Sequence, residues 1–211
     1  MRFRDRHDAG ERLADEVAAC ALDDPVVLAL PRSGVPVGFE VARRLGASFD
    51  VIVARKVGAP YQPEFGIGAI AEGGAVVADD EVLAMLDIDH ERFEVLAHRE
   101  EAELQRRVRD YRGGRELPAV AAHDVVLVDD GLATGVTAHA AALSLGAAGA
   151  RRIVLAVPVC SVDGADRLSA VVDAVVAVLR PHDFASVGQW YRDFTQTTDR
   201  EVLDLLDRSR H

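Results

Sequence analysis

Two adjacent carboxylates lie between an apolar run and a flexible turn near the middle of the sequence. Val125 to Val128 have no polar face, as in a strand buried on both sides of a parallel sheet. Asp129 and Asp130 follow, and the turn Gly131–Gly135 leads into helix-forming residues. A helix start presents unpaired amides and the positive end of a dipole. The turn can therefore hold a phosphate, while the acids can hold hydroxyl groups or a metal ion.

Hydroxyl groups at Thr134 and Thr137 add further donors to this turn. The simpler alternative is an ordinary strand-to-helix connection whose acids are only solvated. Two acids, two glycines and two threonines in this order, directly after a buried strand, favour a binding site over that alternative.

A second loop of similar chemistry is predicted nearer the N-terminus. The apolar run Val26 to Leu30 predicts a strand, which leads into Pro31, Arg32, Ser33 and Gly34. A proline two residues later suits the first turn of a helix. The loop carries a cation, a hydroxyl group and a glycine. Two loops of this kind in one small sheet predict a substrate with two phosphate ends.

Two basic residues, Arg55 and Lys56, follow the next predicted strand, Phe49 to Ala54. Lys56 is the only lysine in the chain, so an ammonium group stands here where every other strong base is a guanidinium. The segment Val57 to Phe65 contains glycine and proline and has no periodicity, which predicts a mobile loop. Two short apolar runs around Glu72–Gly74 then predict a hairpin.

Strands that alternate with helices predict an α/β fold with a doubly wound, five-stranded parallel sheet. Asp89 is predicted to cap a long helix that runs to about Tyr111. Ligands bind such sheets at the switch point beyond the carboxyl ends of the strands. Placing the Arg32 loop beside the Asp129 loop there predicts the strand order 2-1-3-4-5. We expect one domain over residues 1–211, with a core of about 8–180, a flexible loop of about 56–80 and a C-terminal hood of about 181–211.

The composition is that of a folded protein, with 49% hydrophobic and 28% charged residues. A formal net charge of −11 disfavours a duplex-binding surface, so no nucleic-acid partner is expected. Cys20 and Cys160 are isolated and are predicted to be free thiols in a reducing compartment. No apolar run is long enough to span a membrane, so we expect no membrane partner and a cytoplasmic location.

The stretch from Val125 to Thr137 resembles the thirteen-residue signature for phosphoribosyl pyrophosphate (PRPP) in type I phosphoribosyltransferases. This resemblance implies a pentosyltransferase, within the glycosyltransferases, that moves the 5-phosphoribosyl group from PRPP to a nitrogenous base with Mg²⁺ and releases pyrophosphate. Asp129 and Asp130, expected to be exposed at the strand end, would hold the ribose hydroxyls and contact the metal. The loop that would anchor the 5′-phosphate comprises Gly131, Leu132, Ala133, Thr134, Gly135 and Thr137.

The same resemblance extends over nearly the whole chain. Arg32, Ser33 and Gly34 match the family's pyrophosphate loop, where some members have a non-proline cis peptide, here between Pro31 and Arg32. The next basic pair matches residues that contact pyrophosphate, before a flexible loop that closes over the substrate. The catalytic residues implied are Lys56, Arg55, Asp129 and Asp130. We also expect the protein to form a homodimer and to bind small-molecule substrates.

Aromatic residues are concentrated near the C-terminus, between Phe184 and Phe194. One interpretation is a hydrophobic plug on the core. The other comes from purine phosphoribosyltransferases, in which a similar stretch forms a hood over the base. That resemblance implies base contacts from Phe184, Val187 and Trp190, a further metal-side acid at Asp193, and a purine-like base.

Two functions of other classes compete with this interpretation. A non-catalytic regulator that senses PRPP or nucleotides would use the same fold, but the sequence contains no basic stripe or helix-turn-helix extension. A phospho-acceptor receiver domain also has acids after a strand. It requires a lysine after a later strand, and none follows Lys56. The transferase is therefore the favoured hypothesis.

Overall fold

A five-stranded sheet forms the centre of the computed structural model, which describes residues 2–210 except for the side chain of Glu64. All neighbouring strands in this sheet are parallel. Across the sheet, the order is the second, first, sixth, seventh and eighth strands of the chain. This confirms the predicted order 2-1-3-4-5 of the core strands. In chain order the strands are β1 (Val26–Ala29), β2 (Ser48–Val51), β3 (Ala54–Ala59), β4 (Gln62–Ala71), β5 (Val76–Ala78), β6 (Asp124–Val128), β7 (Arg152–Val159) and β8 (Ala174–Leu179).

Helices cover both faces of this sheet. They are α1 (Arg6–Ala18), α2 (Gly34–Leu45), α3 (Asp80–Met85), α4 (His90–Arg112), α5 (Val136–Ala147), α6 (Val162–Leu168) and α7 (Asp199–Arg208), with a short 3₁₀ helix at Val187–Trp190. The predicted cap of α4 is confirmed, because the Asp89 carboxylate accepts a hydrogen bond from the amide of Arg92. Within residues 2–210, no helix is both long and apolar enough to cross a membrane.

The central strand β6 has an apolar side chain on each face of the sheet, which is why its sequence shows no alternation. Val126 and Val128 pack into a core built with α1, α2, α4 and α7. Val125 and Leu127 pack into a second core, built with α5 and α6. All five residues of β6 are buried. The acid pair that follows is thus fixed by a strand held from both sides.

A separate three-stranded antiparallel sheet, β3-β4-β5, follows β2. The prediction of an irregular loop over Val57 to Phe65 is therefore wrong, and the basic pair at 55–56 lies in β3 rather than at the end of a core strand. The ladder between β3 and β4 shifts register on both sides of Gly58. A Cβ atom on Gly58 would lie 2.3 Å from the Pro63 carbonyl oxygen. The glycine and proline that predict a loop are instead accommodated by this irregular pairing.

Candidate functional site

The two predicted loops lie side by side, at the carboxyl ends of the neighbouring strands β1 and β6. The Leu30 amide donates a hydrogen bond to the Val128 carbonyl oxygen at 2.8 Å. A Cβ atom on Gly34 would lie 2.7 Å from that same oxygen and 3.0 Å from the Cα of Asp129. Because those neighbours are backbone atoms, only glycine allows this approach. The peptide between Pro31 and Arg32 is cis.

Asp130 of the acid pair is enclosed, whereas Asp129 is partly exposed. Asp130 is 6% exposed, and its Oδ2 atom accepts a hydrogen bond from Arg6 Nε at 3.0 Å. The Arg6 Nη2 atom lies 2.8 Å from the same oxygen. The Tyr191 hydroxyl donates to the Asp130 carbonyl oxygen at 2.6 Å, and the Asp130 amide donates to Asp129 Oδ1 at 2.8 Å. The prediction of exposed strand-end acids is therefore wrong for Asp130, while Asp129 is partly exposed.

Asp130 is buried and Asp129 is partly exposed, and the two carboxyls have different charged neighbours. Burial, followed by the charge of Asp130, raises the pKa of Asp129 well above its ordinary value. Burial also raises the pKa of Asp130, but hydrogen bonds and charge from Arg6, together with a hydrogen bond from Ser33, oppose that rise. Burial therefore favours the protonated form of the pair, and Arg6 opposes this directly at Asp130.

Arg6 is the principal site residue that the sequence analysis missed. It lies 124 positions from its partner Asp130, so no local pattern signals the contact. Its Nη1 atom donates to the Thr195 carbonyl oxygen at 2.8 Å, and its guanidinium lies 4.2 Å from the ring centroid of Phe194. The start of α1, the acid pair and the C-terminal segment are thus connected through one side chain.

Replacing Arg6 with lysine should lower the melting temperature, since an ammonium group cannot reproduce a fork that bonds Asp130 and also stacks on a ring. The expected loss is about 1.5–3 kcal/mol, the range for hydrogen bonds to charged groups. Thermal unfolding followed by circular dichroism measures it. Arg4→Lys is the matched control, because the Arg4 side chain is 68% exposed in a surface pair with Asp8. Equal effects of the two variants would contradict a specific role for Arg6.

The segment predicted to bind a phosphate has one buried apolar side chain, which fixes it to the core, and several exposed residues. Leu132 lies in the core, with its amide bonded to the Val159 carbonyl oxygen at 2.8 Å. Ala133 and Thr134 are exposed, and Thr137 is partly exposed. Gly135 has a φ of 77°, which favours glycine, and α5 begins directly after it. The first amides of α5 have no intrahelical acceptors and remain available to an anion.

The C-terminal hood lies directly over this turn. A Cβ atom on Gly131 would lie 2.4 Å from Val187 Cγ1. Phe184, Val187 and Trp190 pack, partly buried, against a small cluster that includes Phe3. This packing agrees in part with the interpretation of the stretch as a hydrophobic plug. It also places Val187 against Gly131, the residue that follows the acid pair. The Trp190 indole nitrogen is buried without a hydrogen-bond partner among the described residues.

Gly131→Ala should destabilise the protein by about 1–3 kcal/mol, the usual cost of overpacking. Adding Val187→Ala should restore part of that loss, since it removes the side chain that the new methyl group meets. Melting temperatures of the single and double variants measure both effects. Gly146→Ala is the control, because a Cβ atom there meets no atom within 4 Å. Additive losses in the double variant would contradict the contact between hood and loop.

The predicted basic residues lie on different elements and do not form one cluster. The Arg55 guanidinium is bonded to Glu100 of α4 and lies 3.8 Å from Glu103. Arg32 lies 3.6 Å from Asp199 at the start of α7. Lys56 is exposed on β3, and its stem lies over Gly66, where a Cβ atom would be 2.8 Å from Lys56 Cδ.

The carboxylates predicted to bind metal do not form a cluster of three. Asp193 is exposed and accepts hydrogen bonds from the Thr195 amide at 2.9 Å and hydroxyl at 2.6 Å. These bonds lower the pKa of Asp193. Within the described residues, no group of three or more histidine, cysteine, aspartate or glutamate side chains is placed to hold a metal ion. Asp129 and Asp130 alone would suit Mg²⁺ that arrives with substrate phosphates, its usual manner of binding.

Comparison with known proteins identifies the family. The profile of the phosphoribosyl transferase domain matches residues 5–189. Two strains of Mycobacterium tuberculosis have proteins named "Putative phosphoribosyl transferase" that are 45% identical over 207 residues, covering 98% of this chain and 47% of theirs. The chain thus spans about half the length of these curated relatives.

Solved structures share the fold of this chain. The crystal structure of TT1426 from Thermus thermophilus is 48% identical, with a TM-score of 0.82 and 98% of each chain covered. A purine phosphoribosyltransferase from Pyrococcus horikoshii is 16% identical, with a TM-score of 0.50 over 92% of this chain and 93% of that one, which is a likeness of fold. From the domain match and the sequence relatives, the chain belongs to the phosphoribosyl transferase family.

Proposed function

We propose that this protein transfers the 5-phosphoribosyl group of PRPP to a nitrogenous base and releases pyrophosphate. One observation supports this most directly: an acid pair, with Asp130 buried and Asp129 partly exposed, lies between two loops suited to phosphates, at the carboxyl ends of the adjacent strands β1 and β6. A sugar that carries a phosphate group at each end fits this arrangement, in which the two loops would bind the phosphates and the acid pair between them would bind the sugar hydroxyls. The family membership supports the same reaction.

Each part of the site then has a distinct role. Asp129 and Asp130 would accept hydrogen bonds from the ribose hydroxyls, with Arg6 holding Asp130 in place. The amides and hydroxyls of residues 131–137 would bind the 5′-phosphate, while Leu132 fixes the loop to the core. Arg32, Ser33 and Gly34 would bind the pyrophosphate end.

The reaction asks for positioning and electrostatics more than for covalent chemistry by the protein. As the bond to pyrophosphate breaks, negative charge grows on pyrophosphate and positive charge grows on the ribose ring. Arg32, Lys56 and Arg55 would stabilise the first of these charges, and the acid pair would favour the second. Mg²⁺, when bound with the substrate, would neutralise part of the charge on the phosphates.

The base would bind under the hood, beside the ribose held by the acid pair. Val187 lies over Gly131, so a base next to the ribose would meet this side chain first. Phe184 or Trp190 would supply an aromatic ring for stacking, and a purine-like base suits stacking on such a ring. A homodimer, which the resemblance implies, and a cytoplasmic location belong to the same proposal.

Calorimetric titration with PRPP and Mg²⁺, followed by pyrophosphate release with a panel of bases, tests this function. We expect PRPP to bind and one class of base to give turnover, with a change in Trp190 fluorescence when that base or its nucleotide binds. PRPP binding without turnover of any base would favour a PRPP-sensing regulator instead. Failure to bind PRPP would overturn the proposal.

A further inference from the structure

A groove of about 670 Å³ lies between the β3–β4 hairpin and the long helix α4. We call it the hairpin groove. Its volume is within the range of small-molecule sites, about 300–1,000 Å³. The groove shares Arg55 and Lys56 with the proposed transferase site, but its other cations are Arg92, Arg99 and Arg107 of α4.

The charge of this groove is opposite to that of the protein. The chain has a formal net charge of −11, yet cations predominate among the described lining residues, and Glu100 is the one acid among them. That acid is already bonded to Arg55. Among the described residues, neither Arg92 nor Arg99 has an ion-pair partner, whereas Arg107 lies 3.0 Å from Glu103. Two guanidinium groups therefore face the groove without a counter-charge from the described part of the chain.

The spacing of these arginines indicates the shape of a ligand. Arg92 and Arg99 are seven residues apart on α4, which is about 10 Å along the helix axis and nearly two full turns. They therefore lie on the same face of the helix, with Arg107 a further two turns along. A single phosphate is too small to occupy positions separated by that distance. An elongated anion with several phosphate groups can bond to more than one guanidinium.

The tip of the hairpin adds an aromatic surface. Tyr61 lines the groove and is 96% exposed, the highest exposure among the large apolar or aromatic side chains described. Pro60 and Pro63 flank it at the same rim. An exposed aromatic ring beside arginines is suited to stacking with a nucleobase whose phosphates occupy the groove.

We propose that the hairpin groove binds an extended chain of phosphate groups, from either a nucleoside triphosphate or inorganic polyphosphate. This inference does not depend on the proposed transfer reaction, because the arginines of α4 have no role in that proposal. It assigns a ligand class to a surface outside the two phosphate-type loops.

Calorimetric titration of the full chain in metal-free buffer at low salt tests the proposal, with tripolyphosphate, orthophosphate, ATP and GTP as separate ligands. We expect tripolyphosphate to bind more tightly than orthophosphate. Arg92→Gln and Arg99→Gln should each weaken tripolyphosphate binding about tenfold, the size of one charge-assisted contact. Arg109→Gln is the matched control, since Arg109 is exposed on α4 but does not line the groove. It should change the affinity by about twofold or less.

Three further results separate this site from its alternatives. Arg32→Gln should remove only the tripolyphosphate binding that belongs to the pyrophosphate loop, and the binding that Arg92→Gln and Arg99→Gln weaken should persist in it, which separates this result from the transferase proposal. Tighter binding of ATP or GTP than of tripolyphosphate, lost on Tyr61→Ala, would assign the nucleotide; equal binding would assign the bare phosphate chain. The proposal is overturned if tripolyphosphate does not bind, binds no better than orthophosphate, or loses as much affinity on Arg109→Gln as on Arg99→Gln.

Discussion

Asp129→Asn should weaken PRPP binding about 10- to 100-fold, because the Asp129 carboxylate is proposed to accept a hydrogen bond from a ribose hydroxyl, and a hydrogen bond to a charged group contributes roughly 1.5–3 kcal/mol. Asp129 is the better target of the pair, since Asp130 is the carboxyl bonded to Arg6, whereas Asp129 accepts its hydrogen bond from the Asp130 amide. Calorimetry with PRPP and Mg²⁺ measures the loss. Unchanged affinity would show that the acid pair does not hold the sugar.

The same variant should not unfold the protein. Because the pKa of Asp129 is raised in the folded state, the folded chain holds this proton more tightly than the unfolded chain does. Wild-type stability therefore falls as the pH rises from the ordinary aspartate range through the raised pKa. In metal-free buffer at neutral pH, Asp129→Asn should melt at a higher temperature than wild type, and this advantage should disappear at acid pH.

Asp130→Asn provides the contrast for that result. It removes the counter-charge of the buried Arg6 side chain, so it should lower the melting temperature. A double substitution of both acids would mix loss of binding with loss of stability. Equal melting temperatures for the two single variants would contradict the different environments assigned to the two carboxyls.

Lys56→Ala should slow the chemical step by about 10²–10³-fold, equivalent to about 2.7–4 kcal/mol, if this ammonium meets the charge that grows on pyrophosphate. Lys56 lies on an exposed position of the hairpin, from which closure over the substrate would bring it to the site. Single-turnover rates with an identified base measure the effect. PRPP affinity should change much less than the rate, because the contact is strongest in the transition state.

Two variants act as controls for Lys56. Lys56→Arg should restore only part of the rate, since a planar guanidinium does not reproduce a compact ammonium. Arg109→Ala removes an exposed base of α4 and should leave the rate unchanged. The melting temperature of Lys56→Ala should stay close to that of wild type, because an exposed side chain contributes little packing. Equal single-turnover rates for Lys56→Ala and wild type would contradict the assignment.

Much of the architecture follows from patterns that are local in the sequence. The buried run Val125 to Val128 and the cap at Asp89 each depend on neighbouring residues, and both are confirmed. The strand order follows from the two loops at 31–34 and 129–135, because ligand-binding loops of a doubly wound sheet meet at its switch point. The sequence by itself thus determined the sheet, the positions of the two loops and the family resemblance.

Only the tertiary structure decided how the site is enclosed. Arg6 pairs with Asp130 across 124 positions, and Val187 lies over Gly131, so neither contact has a signature in the local sequence. The hairpin predicted around Glu72–Gly74 is formed by β4 and β5. The pairing of β3 with β4 was missed because it is irregular around Gly58, and glycine and proline favour a loop unless a partner strand supplies hydrogen bonds. Burial and pairing are properties of residues that folding brings together, which is why the upward shift of the pKa of Asp129 follows only from the folded chain.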